Sequence, residues 1–421
     1  MKILWLIGKI LPKIAESRGD SGVIGGGWTV KLADILSEDP DIDLTVVYPQ
    51  SQSKEVQKGE AGKIRYFGFF EPAAPLLTYS EDIERDFRTI IKEVKPDLVH
   101  IWGTEYVHTL CMVKAFDDPD RLVISIQGLI YFWGKKYCDH LPKRVLKKRT
   151  FRDLIKKDSI YIQKQKFLKR GEFELEALKR SKHVIGRTDW DKSTALSING
   201  KLNYHYCREI MREEFYEGEG WKVNDCEPHS VFISQGSYPV KGFHIALEIL
   251  NKLKISFPDV KLYAAGKKLM AKSFKEKLKQ DSYSAYIQEL IGRYKLEDNI
   301  SFLGNLDAQG MKRSYLKANV YLQSSIMENS PNSLGEAMLI GTPCVASDVG
   351  GTSSMVSDEL SNELFSLDDT DKAVDKILKI FSDKDYSKKI SILERSYSRK
   401  KYDIGIGVSE YKRVYTGMME N

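Results

Sequence analysis

The chain has 421 residues, a length that predicts two domains because single hydrophobic cores rarely grow beyond about 250–300 residues. Hydrophobic residues make up 42% and charged residues 29%, which excludes disordered, collagen-like and coiled-coil proteins. The net charge is only +6, but residues 131–180 carry 16 Lys and Arg against 6 Asp and Glu. The segment alone therefore carries +10, the rest of the chain sums to −4 (+6 − 10), and the basic segment is also rich in aromatic residues.

The cysteines and the apolar runs predict a cytoplasmic protein. Five cysteines are scattered without a CxxC pair, which favours a reducing compartment over a disulfide framework or a zinc site. The apolar start at residues 3–7 is too short for a signal peptide, and no apolar run reaches the roughly 20 residues that span a bilayer. We expect a soluble protein, or one peripheral to the inner face of the cell membrane.

Short apolar runs alternate with helical spacing twice along the chain. In the first half the predicted strands are 3–7, 44–48 (ended by Pro49), 98–102, 122–126 and 183–186, with helices at 28–36 and 81–94. In the second half the predicted strands are 230–234, 261–265, 300–303, 320–323 and 343–346, with helices at 242–257 and 333–340. Continuous apolar strands separated by helices indicate parallel sheets buried on both faces.

These two patterns predict two Rossmann-like, doubly wound α/β domains. The predicted ranges are an N-terminal domain at 1–206, a linker at 207–229, a C-terminal domain at 230–400 and a last helix at 401–421 that returns to the N-terminal domain. In such sheets ligands bind beyond the carboxyl ends of the strands, so the loops at those ends carry the candidate site residues.

The densest polar motif is residues 325–338, which follow a predicted strand and open a predicted helix. The start of that helix is suited to phosphate. Ser333 and Glu336 have the spacing of a capping box, which would explain Glu336 structurally but leaves Glu328 unexplained. Because carboxylates accept hydrogen bonds from sugar and ribose hydroxyls, the pair of glutamates suits a nucleotide sugar.

Glu328 and Glu336, followed by Gly350 and Gly351, resemble the E-x7-E signature of family-4 retaining glycosyltransferases of the bacterial cell-surface polysaccharide type. Further segments resemble that family at 96–100 ("PDxVH"), 239–242 ("PxKG") and 300–305 ("VxFLG"). The resemblance implies the GT-B architecture, an α/β fold with two facing Rossmann-like domains and an interdomain cleft.

The resemblance also implies a role for each matching residue. Lys241 would neutralise the departing diphosphate, because a fixed cation stabilises charge that develops during bond breaking. A solvated loop lysine is the alternative. Glu328 would contact hydroxyls of the donor sugar and Glu336 the ribose. The remaining expected donor-binding residues are Gly304, at the end of the "VxFLG" segment, and the main-chain N–H groups of Asn332, Ser333 and Leu334 around the distal phosphate.

A glycine run precedes the first long helix, and such a loop permits close approach of a ligand to the backbone. It is not a GxGxxG sequence and lacks the acidic residue expected after the second strand, which argues against nicotinamide and flavin. The resemblance implies that Gly26 and Gly27 lie against the donor diphosphate and the acceptor.

Two positions depart from the family pattern. Gly236 stands where most relatives carry an arginine, and we name Arg187 as the candidate replacement, with an ion pair to Asp189 or Asp191 as the equally weighted alternative. A bidentate phosphate contact by arginine would be lost on exchange for lysine.

Gln127 stands where many relatives carry a histidine. Its amide can hydrogen-bond a sugar but cannot act as a base, so the front-face retaining mechanism would leave proton handling to the donor phosphate. His108 is a second candidate for the site, although a structural role is favoured for it.

The basic segment at 131–170 admits three interpretations. A solvated surface is the ordinary one. Nucleic acid binding is set aside because the rest of the chain is acidic and has no recognised motif for it. An anionic membrane surface fits both the cations and the aromatics, and it suits a transferase with a lipid-linked acceptor. The segment falls in the predicted N-terminal domain, the half expected to bind the acceptor.

The sequence thus predicts a retaining, metal-independent glycosyltransferase. It would move a hexose or N-acetylhexosamine from a nucleotide diphosphate, UDP rather than GDP, to a hydroxyl of a glycan or lipid-linked acceptor, with the nucleotide sugar as co-substrate and no resident cofactor. The alternatives are a GT-B nucleotide-sugar epimerase, which would need acid/base pairs that the sequence does not offer, and a catalytically weak partner subunit that binds nucleotide sugars.

Overall fold

The computed structural model describes residues 1–20 and 27–420. Its strands are, in chain order, β1 (Lys2–Ile7), β2 (Asp43–Gln50), β3 (Gln57–Ala61), β4 (Ile64–Phe70), β5 (Leu98–Trp102), β6 (Leu122–Ser125), β7 (His183–Gly186), β8 (Asn203–Tyr206), β9 (Ser230–Ile233), β10 (Lys261–Ala265), β11 (Ile300–Gly304), β12 (Val320–Gln323), β13 (Cys344–Ser347) and β14 (Leu364–Phe365).

The α-helices of the described residues are α1 (Pro12–Ser17), α2 (Gly27–Glu38), α3 (Glu81–Val94), α4 (Val107–Phe116), α5 (Ile130–Lys136), α6 (Lys143–Lys147), α7 (Phe151–Lys156), α8 (Ile160–Arg180), α9 (Asp189–Ile198), α10 (Phe243–Ser256), α11 (Phe274–Leu278), α12 (Ser282–Arg293), α13 (Ala308–Lys317), α14 (Asn332–Ile340), α15 (Thr370–Ser382), α16 (Lys384–Lys401) and α17 (Ile404–Met419). Short 3₁₀ turns lie at Glu213–Phe215, Pro239–Lys241, Glu297–Asn299, Thr352–Met355 and Asp358–Glu363.

The chain folds into two compact units. Unit 1 comprises Met1–Phe132, Phe167–Arg212 and Tyr402–Asn421, and unit 2 comprises Trp133–Lys166 and Glu213–Lys401. Each unit is built around one α/β sheet, so the α/β class with mainly parallel sheets in two domains is confirmed.

Unit 1 contains an eight-stranded sheet in the order β3-β4-β2-β1-β5-β6-β7-β8. Neighbouring strands are parallel except for the antiparallel hairpin of β3 and β4. One apolar cluster joins the sheet to α2 and α17, and a second joins its other face to α3 and α4. The chain leaves β1 in one direction and β5 in the other, which is the switch point where ligand loops of such sheets diverge.

Helix α17 is fixed to the sheet of unit 1 by a buried polar contact. The Tyr415 hydroxyl lies 2.6 Å from Nδ1 of His100 and accepts a hydrogen bond of 3.2 Å from Nε1 of Trp5. The other ring nitrogen of His100 lies 2.7 Å from the Ser125 hydroxyl. Burial holds the pKa of His100 well below its ordinary value, so the ring is neutral and both nitrogens have partners.

Unit 2 contains a six-stranded parallel sheet in the order β11-β10-β9-β12-β13-β14. Strands β9, β12 and β13 are buried at every position, as strands covered by helices on both faces must be. Its switch point lies between β9 and β12, because the chain continues to β10 on one side and to β13 on the other.

The structure differs from the predicted domain range 1–206 in the basic segment. Residues 133–166 belong to unit 2, where the Asp153 carboxylate accepts the Ser282 N–H at 3.0 Å. Asp153 thereby stabilises the positive end of α12. The Arg144 guanidinium forms two hydrogen bonds of 2.6 and 3.0 Å with Glu289 on the same helix. Most of the basic segment is therefore part of the unit that contains residues 241 and 328, and only its ends, 131–132 and 167–170, belong to unit 1.

One predicted strand end differs from the structure, and one edge strand has no counterpart among the predicted strands. Strand β2 continues through Pro49 to Gln50, although proline was expected to end it. The hairpin partner β3 has no apolar run, because it is an edge strand with the sequence QKGEA and little of it is buried. No helix among the described residues is both long and apolar enough to cross a bilayer.

Candidate active site

Two loops meet at the switch point of unit 2. The loop after β9 leads to Lys241, and the loop after β12 leads to Glu328. Because β9 and β12 are parallel neighbours, their carboxyl ends lie side by side and bring the two loops together. The main chains touch as well, since the Ile326 N–H donates to the carbonyl of Val240 at 2.7 Å.

Lys241 and Glu328 form a buried ion pair. Nζ of Lys241 lies 2.5 Å from Oε1 of Glu328, and the two side chains are only 16% and 6% exposed. The Ser325 hydroxyl donates to the same carboxylate oxygen at 2.7 Å. Burial alone would lower the pKa of Lys241, but the negative charge of Glu328 outweighs it and the pKa is raised. Lys241 is therefore an ammonium throughout the neutral pH range.

Two glycines let the backbone close around this pair. Gly242 has a φ of +64°, and a Cβ there would lie 1.7 Å from the carbonyl oxygen of Ser324. Gly350 has a φ of +55°, and a Cβ there would lie 2.0 Å from the carbonyl oxygen of Glu328. Any other residue at either position would push the Glu328 loop away, because both the backbone conformation and the contact require glycine.

Helix α14 begins directly after the Glu328 loop, at Asn332. Its N-cap is Pro331, so Ser333 lies inside the helix and not at the N-cap position that the predicted capping box of Ser333 and Glu336 requires. The buried carboxylate of Glu336 instead accepts from the Tyr315 hydroxyl at 3.3 Å. The Leu334 N–H donates to the carbonyl of Pro331 at 3.0 Å.

Ser333 lies near the sheet. Its hydroxyl accepts from the Tyr321 hydroxyl at 2.8 Å, and Tyr321 in turn lies 3.1 Å from the hydroxyl of Ser234 at the end of β9. Ser333 thus belongs to a polar layer at the carboxyl ends of β9 and β12, and its neighbour Asn332 is the first residue of α14. Gly304 ends β11, with a φ of +74° and open space where a side chain would stand.

The absent arginine at position 236 has a packing explanation. A Cβ at Gly236 would lie 2.4 Å from the ring of Phe243, which is fully buried at the start of α10. Phe243 therefore occupies the space that a side chain at 236 would enter. The sequence shows that glycine is present, but not the ring that excludes a larger residue.

Trp133 is a site residue that the sequence did not identify. It lies in the basic segment, whose aromatics suggest membrane contact, but Nζ of Lys241 lies 5.2 Å from the centroid of its ring. This distance is typical of a cation–π contact. Its buried Nε1 has no hydrogen-bond partner among the described residues. Trp133 thus presents an unused donor close to the ion pair.

Arg187 and Gln127 are brought together in unit 1. Nη2 of Arg187 donates to the Gln127 side-chain oxygen at 3.1 Å and to the carbonyl of Ile126 at 2.7 Å. Nη1 lies 2.8 Å from Oε1 of Glu209, and both of these side chains are almost fully buried. The ion-pair partner is therefore Glu209 and not Asp189 or Asp191; of these, Asp191 accepts only the backbone N–H of Arg187, at 3.0 Å.

Of the other residues predicted in unit 1, the structure describes Gly27 and His108. Gly26 lies outside the described residues. Gly27 begins α2 against the aliphatic part of Arg212, since a Cβ at Gly27 would lie 3.0 Å from Cδ of that side chain. Nδ1 of His108 lies 3.1 Å from both carboxylate oxygens of Glu71, and the ring is 2% exposed, which fits the structural role favoured for this histidine.

A buried carboxylate ties together two loops at the carboxyl ends of β5 and β6. Glu174 accepts hydrogen bonds from the Thr104 hydroxyl at 2.5 Å and from the N–H groups of Ile130 and Tyr131 at 3.1 and 2.9 Å. Burial raises the pKa of Glu174 to about 7, although these hydrogen bonds act in the opposite direction. Among the described residues there is no group of three or more His, Cys, Asp or Glu that could hold a metal ion.

The two sheets and their switch points belong to the GT-B class of folds, which solved structures support. The sucrose-phosphate synthase of Thermosynechococcus elongatus superposes with a TM-score of 0.70 at 15% identity, covering 100% of this chain and 99% of that chain. HepE of Anabaena, solved in complex with UDP and glucose, superposes with a TM-score of 0.65 at 16% identity, with both chains covered completely.

A glycosyltransferase family model matches part of the chain. Residues 221–396, which lie within unit 2, match the family model "Glycosyl transferases group 1". Protein CapJ of Staphylococcus aureus is 27% identical over 175 residues, covering 39% of this chain and 40% of its own length. Trehalose synthase of Pyrococcus horikoshii is 27% identical over 192 residues, covering 44% of each chain. These matches span less than half the length of the curated relatives.

Proposed function

We propose that the chain is a retaining glycosyltransferase that moves a hexose or N-acetylhexosamine from a UDP-sugar to a hydroxyl of a glycan or lipid-linked acceptor. The observation that carries the proposal is the buried pair of Lys241 and Glu328 at the switch point of unit 2. It lies in the segment that matches the glycosyltransferase model. The complex of HepE with UDP and glucose favours UDP as the nucleotide.

Lys241 is proposed to stabilise the leaving diphosphate. An ammonium group has three N–H donors, and Glu328 engages one of them, so Lys241 can hold the carboxylate and a phosphate oxygen at the same time. A fixed, desolvated cation near the breaking bond is the arrangement that lowers the barrier for a developing negative charge. Trp133 adds a neutral donor beside it and excludes water from one side of the ammonium.

Glu328 is proposed to orient the donor sugar and Glu336 the ribose. The Glu328 carboxylate accepts from the Ser325 hydroxyl and the Glu336 carboxylate from the Tyr315 hydroxyl, and an ionised carboxylate has about four lone-pair sites for hydrogen bonds. The main chain at the start of α14, around Asn332 and Ser333, is proposed to face the distal phosphate, and Gly304 to leave room for the nucleotide.

In unit 1 we propose that Gln127 contacts the donor sugar and that Arg187 positions it. The Arg187 guanidinium is 7% exposed and is engaged by Glu209, Ile126 and Gln127, which favours a positioning role over direct phosphate contact. Gly26 and Gly27 keep their proposed place beside the diphosphate and the acceptor. We further propose that no metal or resident cofactor takes part and that proton transfer uses the donor phosphate.

The acceptor is proposed to be met at the inner face of the cell membrane, through the basic segment 131–170. Protein incubated with a panel of nucleotide sugars, with and without a lipid-linked acceptor, tests the whole proposal by nucleotide release. Release that requires both a UDP-sugar and the acceptor, with an α-configured product from an α-configured donor, is expected. An isomerised donor would identify an epimerase, and tight nucleotide binding without turnover would identify a partner subunit.

A further inference from the structure

Exposed apolar side chains concentrate in two segments of unit 2. Six of the twelve large apolar residues that are exposed in the described chain lie there. They are Phe151 (57% exposed), Leu154 (62%), Ile155 (62%) and Tyr161 (53%) in the first segment, and Phe274 (75%) and Leu278 (37%) in the second. Scattered single apolar residues are ordinary on a protein surface, whereas a group of this size marks an interaction site.

Helix α7 exposes its apolar residues and buries its acidic residue, the opposite of an ordinary amphipathic surface helix. Its acidic residue, Asp153, is 1% exposed and points into unit 2, where it holds the N-terminus of α12. Phe151, Leu154 and Ile155 stand at i, i+3 and i+4 and therefore share one face, which is the solvent-exposed face. The capping box of Thr150 and Asp153 fixes the helix in this orientation. A helix that buries its carboxylate and exposes its apolar residues is suited to a non-aqueous partner.

The two apolar segments are close in space although they are far apart in sequence. Asp153 of the first segment contacts Ser282 at 3.0 Å, and Leu278 of the second segment precedes Ser282 by four residues. A chain of four residues spans at most about 14 Å, so Leu278, the last residue of α11, lies within about 14 Å of Ser282, which the Asp153 side chain of α7 contacts. We call the exposed side chains of 143–161 and 272–279 the basic-apolar surface.

The basic-apolar surface carries cations without matching anions. Residues 143–166 contain ten Lys and Arg against two Asp, and residues 267–279 contain six Lys against one Glu. Both aspartates and the glutamate are used inside the protein: Asp153 and Glu276 cap helices, and Asp158 pairs with Lys166 at 2.9 Å. Among the described residues no carboxylate lies within ion-pair distance of the exposed lysines Lys143, Lys147, Lys156, Lys157, Lys275, Lys277 and Lys279.

We infer that unit 2 docks on an anionic lipid surface through the basic-apolar surface, with Phe151, Leu154, Ile155, Phe274 and Leu278 inserted among the headgroups. Exposed apolar side chains beside unpaired lysines match a lipid surface, which has negatively charged headgroups over an apolar layer of acyl chains. The inference rests on the proposed function in one respect: a transferase with a lipid-linked acceptor would need to bind a membrane. It assigns the membrane contact to the unit that contains Lys241, and to α11 as well as the basic segment.

Sedimentation with lipid vesicles tests the inference with the full chain. Wild type should bind vesicles of phosphatidylcholine and phosphatidylglycerol, and binding should weaken as the salt concentration rises. Leu154→Ser/Ile155→Ser should weaken binding at least tenfold, because two side chains of this size lose their burial. Lys156→Gln/Lys157→Gln and Lys275→Gln/Lys277→Gln should each weaken it about 30-fold, at about fivefold for each lysine near an anionic surface.

The matched control is Lys388→Gln/Lys389→Gln/Ile392→Ser on α16, where Ile392 is 68% exposed beside two lysines. This variant should bind like wild type. The inference would be overturned if all variants bind vesicles equally or if wild type binds pure phosphatidylcholine. It would also be overturned if wild type does not bind vesicles but forms a dimer that the variants lose, or if it prefers a nucleic acid duplex to vesicles. UDP-dependent thermal stabilisation is measured in parallel. If it persists while vesicles are not bound, the docking inference and the proposed membrane contact of 131–170 fail, but the proposed sugar transfer from a UDP-sugar is not affected.

Discussion

The buried pair of Lys241 and Glu328 allows a quantitative prediction that separates its structural role from the catalytic role proposed for it. We expect Lys241→Met to destabilise unit 2 by about 3–5 kcal/mol, the usual cost of leaving one charge of a buried pair without its partner. The lone carboxylate would keep only the Ser325 hydroxyl at 2.7 Å. Glu328→Gln should have a cost of similar size, because it leaves the ammonium buried beside a neutral amide.

The double variant Lys241→Met/Glu328→Gln should be more stable than either single variant, because it leaves no buried charge uncompensated. Chemical denaturation of the four proteins gives the coupling energy by a double-mutant cycle. A loss of 3 kcal/mol in a unit of this size should lower the unfolding midpoint by roughly 6–12 °C. The control is Lys252→Met, whose exposed pair with Asp371 at 2.8 Å should contribute about 0–1 kcal/mol.

Nucleotide release tests the catalytic role proposed for the same residue. At a temperature where all variants are folded, Lys241→Met should lower kcat by about 10²–10³, the usual effect of removing one fixed donor from a developing anion. The double variant should recover stability but not turnover. The reasoning from the buried ion pair is refuted if the free energy of unfolding of Lys241→Met is within about 1 kcal/mol of that of wild type and the double-mutant cycle shows no coupling energy between the two residues. If turnover returns in the double variant, the assignment of Lys241 to the diphosphate is refuted.

Three further variants test other parts of the structure. Trp133→Phe keeps a ring beside Lys241 but removes the indole N–H, and it should weaken UDP binding by about 5–30-fold in calorimetry; unchanged affinity would contradict a ligand-facing donor. Tyr415→Phe should destabilise unit 1 by about 2–4 kcal/mol in denaturant titrations, since His100 loses a buried partner. Glu174→Gln tests a titration: because its pKa is raised to about 7, the stability linked to its protonated form is complete below about pH 4.5 and is lost as the pH rises through 7. The variant should therefore gain up to about 3 kcal/mol on wild type between pH 5 and pH 8 in thermal melts, and parallel curves would falsify the burial of this group.

The fold was predictable because its strands are local and nearly continuous in apolar residues. Strand β5 at Leu98–Trp102 and helix α3 at Glu81–Val94 follow directly from apolar runs, helical spacing and turn residues. Edge strand β3 was not predictable, because a strand with few buried positions leaves no periodic pattern. The assignment of residues 133–166 to unit 2 was not predictable either, since it depends on contacts such as Asp153 with Ser282, 129 residues away.

Some residues of the candidate site were predictable from the sequence, and others, which depend on contacts between distant parts of the chain, were not. Lys241 and Glu328 were identifiable because their motifs resemble those of a known family and each lies in a loop that follows an apolar strand. The topology of unit 2 makes those loops neighbours. Trp133 was not identifiable, because nothing in its sequence neighbourhood distinguishes a ring beside an ammonium from a ring in a membrane-facing helix. The Glu209 partner of Arg187 was missed for a similar reason: an acidic residue 22 positions away in the chain is not an evident partner.

The packing of Phe243 against Gly236 has a consequence for how the diphosphate would be held. The resembled family offers a lysine and an arginine to the phosphates, but here the ring excludes any side chain at 236. Arg187, the candidate replacement, is neutralised by Glu209 at 2.8 Å. Of these three positions, only Lys241 supplies a cation to a site that also contains the carboxylates Glu328 and Glu336. Affinity for the diphosphate should then depend on Lys241 and on neutral donors, namely the start of α14 and the Trp133 indole, and less on charge than a two-cation site would.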